Sequence, residues 1–74
     1  MKLLGSVCGT THSGELLVKI ENLPSLFERV MDRQKNEVGK VVYIFGNVRT
    51  PYAVVRPHRK RDLLQIMGRD IYLR

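Results

Sequence analysis

The side chains able to act as nucleophile, general base or metal ligand in this 74-residue chain are few: His12, His58, the single cysteine Cys8, and seven acids. Both histidines fall in predicted loops, and neither has a Cys, Ser or acid around it at a spacing that reads as a nucleophile–base set. Cys8 sits in an apolar run and reads as a small buried hydrophobe. One cysteine also excludes an intramolecular disulfide and a cysteine-based metal cage. Glu28 and Asp32 are four residues apart, which on a helix sets like charges side by side and does not make an acid–base pair. No glycine-rich phosphate loop is present. The expectation is a protein that is not an enzyme, with no cofactor, no metal and no small-molecule substrate.

Charge is the second resource. The net charge of +6 is unevenly placed: residues 1–46 hold six basic and five acidic residues, and residues 47–74 hold seven and two. Arg56, Arg59, Lys60 and Arg61 form a basic loop. With Arg49, Arg69 and Arg74 they are a candidate footprint for RNA phosphates. The same cluster also reads as a solvated loop that keeps the protein soluble. Bases stack on aromatic rings, and Tyr43, Phe45 and Tyr52 stand near this loop. At least two of these rings are expected to be taken up by the core.

These residues are positioned by Val38–Pro57, VGKVVYIFGNVRTPYAVVRP, the densest β-branched and aromatic stretch of the chain. Residues 41–45 read as a strand, and a second strand runs from Tyr52 to Arg56. Gly46-Asn47 is a turn signal, and Pro51 presets the entry of the second strand. Period-two geometry puts Val41, Tyr43 and Phe45 on one face and Val42 and Ile44 on the other. Both faces are apolar, yet only one can fill the core. The surplus face implies a protein interface, or else a cover such as the Leu23–Phe27 segment.

Around this pair, Leu3–Gly9 and Glu15–Ile20 read as strands joined by the polar turn Thr10–Gly14. Leu16, Val18 and Ile20 share one face. Pro24 disfavours helix at Leu23. Ser25 and Glu28 form a capping-box pattern, and Leu26, Phe27, Val30 and Met31 would make one face of a short helix reaching Lys35. The competing reading is a connector, a short strand over Arg29–Asp32 and a polar turn. Gly39 marks a bulge or a barrel corner. Asp62–Met67 reads as a helical turn ended by Gly68, and Ile71 and Leu73 share a face of a terminal strand. Five or six short strands in a chain of this size imply a small β-barrel, because closure removes exposed edges.

Size predicts one domain over residues 1–74 with a single small core. With 43% hydrophobic and 27% charged residues, the composition is that of a globular domain. No apolar run approaches the ~20 residues of a membrane span. Met1–Leu4 is too short for a signal peptide, so an intracellular protein without a membrane partner is expected.

Residues 38–52, VGKVVYIFGNVRTPY, followed by AVVRP, resemble the core of the glycine-arginine-rich (Gar-type) protein of H/ACA guide ribonucleoproteins. That family's pattern is Gly-x-Val, a polar or acidic pair, Ile/Phe-Phe-Gly-Pro-Val, then Pro-Tyr and a Val-rich strand. LPSLFERVMD over Leu23–Asp32, the N-terminal LGSVC and GELLVK, and GRDIYL over Gly68–Leu73 are similar to family segments as well, so the resemblance covers nearly the whole chain. The string Phe45-Gly46-x-Val48-x-x-Pro51-Tyr52 also resembles the assembly factor that shares this core in eukaryotes. Asn47 departs from the family's Pro. Val42 and Tyr43 depart from its polar pair. Glycine-arginine tails are absent, which is similar to the archaeal form.

The resemblance implies a six-stranded Greek-key barrel of the elongation-factor second-domain type, with Arg29–Asp32 as a strand. It implies a non-catalytic accessory subunit that binds the catalytic domain of the guide-dependent pseudouridine synthase. That subunit meets the H/ACA guide RNA particle mostly indirectly, and it assists substrate loading and release in pseudouridylation of rRNA. It would be cytoplasmic in an archaeal form and nucleolar in a eukaryotic one. The candidate interface is Ile44, Phe45, Gly46, Val48, Pro51 and Tyr52, with Phe45 the member most exposed to the competing claim of the core. The alternative function is a small RNA-binding barrel using Arg56, Arg59, Lys60 and Arg61.

Overall fold

The computed structural model describes residues 2–58 and 66–74. It contains six strands: β1 (Lys2–Thr10), β2 (Leu16–Ile20), β3 (Arg29–Met31), β4 (Glu37–Gly46), β5 (Pro51–Pro57) and β6 (Asp70–Leu73). They close into an antiparallel barrel in the order β1-β2-β5-β4-β3-β6. Strands β3, β4 and β5 run as a meander, and β6 returns to lie beside β3, which is a Greek key. Among the described residues no helix is long and apolar enough to cross a membrane.

The interior is aliphatic. Leu4, Val7, Leu16, Val18, Ile20, Val30, Val41, Ala53, Val55, Ile71 and Leu73 form one buried cluster, with Val38, Ile44 and Ile66 packed against it. In β2 and β6 burial follows the period-two pattern, whereas in β5 Ala53, Val54 and Val55 are all buried. A barrel this narrow brings backbones close together at its bends. A Cβ on Gly39 would overlap the carbonyl oxygen of Arg56 and lie 2.9 Å from the Cα of Pro57. Gly39 is therefore a point where β4 passes against β5 with no room for a side chain.

The helix favoured by the capping box is absent. Its local chemistry is present all the same: the Ser25 amide donates to the Glu28 carboxylate at 2.9 Å, and the Glu28 amide donates to the Ser25 carbonyl at 3.2 Å. Phe27 then takes a left-handed conformation (φ 66°), which stops helical propagation. Its amide donates to the Val41 carbonyl at 2.6 Å, and the Val41 amide donates to the Glu28 carbonyl at 2.9 Å. Pairing with β4 outcompetes the helix, and β3 follows at once, as the family resemblance implies.

Register shifts occur at four places: at Leu4 where β1 meets β6, at Cys8 where β1 meets β2, at Val38 where β4 meets β3, and at Val42 where β4 meets β5. In β1, Val7 pairs with Val18 and Gly9 with Leu17, leaving Cys8 as the extra residue. Cys8 is exposed, contrary to the buried reading, and its thiol reaches the Leu17 carbonyl at 3.4 Å. In β4, Val41 pairs with Val55 and Tyr43 with Val54, leaving Val42 extra. Val41 is therefore fully buried, while Tyr43 and Phe45 point outward. The expectations that Val41, Tyr43 and Phe45 share a face, and that at least two of the three rings enter the core, are both corrected by this one residue.

Arg56 lies within β5, not in a loop. Arg59, Lys60, Arg61 and most of the helical turn expected over Asp62–Met67 lie outside the described residues.

Candidate interaction surface

The outer face of β2, β5 and β4 carries two cross-strand rows. Lys19, Tyr52 and Phe45 make one, and Leu17, Val54 and Tyr43 make the other. Outside the bulge this follows from register, since residues in line across a sheet share a face. The three rings stack on one another. Phe45 lies 5.7 Å from Tyr52 at 21° between planes, and 5.9 Å from Tyr43 at 25°. Tyr43 is 58% exposed and Phe45 40% exposed. The Leu23–Phe27 segment does not cover them, since Leu23, Leu26 and Phe27 are themselves exposed and Phe27 lies under the Lys40 ammonium at 5.9 Å.

The β4–β5 turn extends this face. Gly46 (φ 101°) starts it, and a Cβ there would stand 2.7 Å from the Thr50 carbonyl oxygen. Asn47, the departure from the family's Pro, rigidifies the turn differently. Its side-chain oxygen accepts from the amides of Arg49 (3.0 Å) and Thr50 (2.8 Å) and from the Thr50 hydroxyl (3.0 Å). The turn thus holds Val48 out at 98% exposure. Of the other expected interface residues, Pro51 and Tyr52 are half-buried, whereas Ile44 packs largely against the core. Tyr43 was not among the expected contacts. Its place beside Phe45 follows from the bulge, which composition did not reveal.

The basic residues are more committed than the sequence suggests. The Arg56 guanidinium meets the Glu15 carboxylate at 3.2 Å. The two carboxylate oxygens of Glu37 face Arg29 at 3.6 Å and His58 at 2.5 Å, tying β3, β4 and the end of β5 together. The His58–Glu37 pair is separated by 21 residues in sequence, which is why spacing alone did not show it. Lys19 and Arg49 have no ion-pair partner among the described residues. His12 is exposed. Among the described residues no cluster of His, Cys, Asp or Glu is placed to hold a metal ion.

No family model matches the chain. Over 59 residues it is 30% identical to an uncharacterized protein of Methanothermobacter thermautotrophicus (strain Delta H), covering 80% of this chain and 64% of that relative. The chain thus spans less than two thirds of the length of the curated relative it matches.

Proposed function

We propose that this chain is a non-catalytic accessory subunit of an H/ACA ribonucleoprotein. In this reading it docks on the catalytic domain of the guide-dependent pseudouridine synthase and assists substrate RNA loading and release. The observation that carries the reading is the outward aromatic ladder Tyr43–Phe45–Tyr52, continued by the fixed tip at Val48. A small barrel gains nothing in its own core from three rings on its outer face, two of them exposed, whereas large rings beside a rigid turn suit an interface anchor. Two of the three rings, Phe45 and Tyr52, belong to the Phe-Gly-x-Val-x-x-Pro-Tyr string that carries the family resemblance, and Tyr43 departs from the family's pattern. The alternative, an RNA-binding barrel acting through Arg56 and the basic residues after it, is weakened at Arg56 by the pairing with Glu15.

Two measurements test this reading. Pull-down with the synthase should succeed for the wild-type chain and weaken at least tenfold for Val48→Asp and Tyr52→Ala, as loss of hot-spot contacts does. Full retention by folded variants would refute the docking face. Guided pseudouridylation should gain multiple-turnover rate when the chain is added, with the single-turnover rate unchanged, because release and not chemistry is assisted. No gain would refute the accessory role.

A further inference from the structure

We infer that the docking face is built for an acidic protein surface, one that sets carboxylates over a cationic rim while apolar side chains pack on the aromatic ladder. The inference rests on the docking reading above and adds the chemistry of the partner. The rim carries more cations than acids. Lys19 stands in register with Tyr52, and Lys40 and Arg56 face each other across β4 and β5. Arg49 lies in the Asn47-held turn that follows the Phe45–Tyr52 pair. The acids near this face are Glu15, which is joined to Arg56, and Glu21, which lies just past the end of β2. Lys40 also covers the Phe27 ring, so Lys19 and Arg49 are the cations best placed for a partner.

The same ingredients, rings and cations, serve single-stranded RNA, and the apolar neighbours of the rings favour a protein surface. Bases stack on open ring faces. Here Phe45 stacks with both tyrosines, so part of the ring surface is already engaged within the ladder. The flanking cations favour carboxylates, while the apolar body of the ladder, with half-buried Leu17 beside it, favours aliphatic contacts. A partner surface mixing Asp or Glu with Leu, Ile or Val satisfies both.

Association kinetics with the synthase separate the possibilities. The variants are Phe45→Ala and the pair Lys19→Glu with Arg49→Glu, each checked for a wild-type circular dichroism spectrum. A charge-steered interface loses association rate when its rim is reversed, about tenfold at low salt, with little change in dissociation. The loss should fade at high salt as screening removes it. If Phe45→Ala abolishes binding but the charge reversal leaves association and its salt dependence unchanged, the acidic partner is refuted and the docking face stands. If neither variant affects binding, both inferences fail. A single-stranded polyuridine oligonucleotide is the second probe. Tight, salt-sensitive binding to it that Phe45→Ala and the charge reversal both destroy, with no binding to the synthase, would make the face an RNA platform and overturn the proposal.

Discussion

Among the register shifts of strands β1 and β4, the bulges at Cys8 and at Val42 have different consequences. In β1 the bulge moves a single small thiol outward, and the neighbouring Val7 stays buried. In β4 it leaves Val41 buried and turns the two rings after it to the outside, where they meet Tyr52. The same backbone device is a local adjustment in one strand and the origin of a surface in the other. What differs is the sequence downstream: Gly9 and Thr10 after Cys8, Tyr43 and Phe45 after Val42.

If β4 is divided in this way, its halves should respond to mutation in opposite currencies. The largest effect belongs to the inner half. Gly39→Ala places a methyl group into the Arg56 carbonyl, and backbone on both sides must separate. We expect a loss of about 3 kcal/mol, at the upper end for overpacking, read from urea denaturation. Next, Val41→Ala empties part of a fully buried site beside the bulge. It should lower stability by about 2 kcal/mol, a large-to-small core change, with no direct loss of partner contact. A near-neutral result for Val41→Ala would mean that Val41 is not an inward residue and that the bulge is misplaced.

The outer half should show the converse. Phe45→Ala removes both stacking contacts of the ladder but opens no core cavity. It should cost about 1 kcal/mol of stability, the scale of aromatic pairing, while weakening synthase binding tenfold or more. Asn47→Ala removes the acceptor for three hydrogen bonds that hold the turn. Expected are a stability loss of about 1 kcal/mol and faster amide exchange at Arg49 and Thr50. A loss of several kcal/mol for Phe45→Ala would erase the contrast between the two halves of the strand.

The contrast also marks how far the sequence could be read. The barrel was legible because short apolar runs, turn residues and the inward triplet Leu16, Val18 and Ile20 all agree on it. The Ser25–Glu28 capping pair was legible too, but its meaning was not. The hydrogen bond forms, while the Phe27 and Glu28 backbone pairs with Val41, a residue 14 positions beyond Phe27. The face of regular β2 was legible, whereas Cys8 and the rings after Val42 were misread, because one extra residue inverts every later side chain. The tip residues Gly46, Val48 and Pro51 needed only turn chemistry. Tyr43 needed the register of β4 against β5, and the Glu37–His58 contact needed the closed barrel.

The smallest effect is expected in β1, and it tests the bulge most directly. Cys8 packs against nothing in the core, and its thiol makes one weak contact with the Leu17 carbonyl. Cys8→Ser preserves a donor at the same place, so stability should change by no more than about 0.5 kcal/mol, as for surface substitutions. A buried cysteine in an aliphatic core would lose more, because a hydroxyl without a partner is costly to bury. Maleimide labelling of the native protein gives the complementary reading. An exposed Cys8 should react completely without denaturant, whereas a buried one would react only as the barrel opens. Protection of the native thiol together with a large Cys8→Ser penalty would remove the Cys8 bulge from β1, leaving the Val42 bulge in β4 without its counterpart.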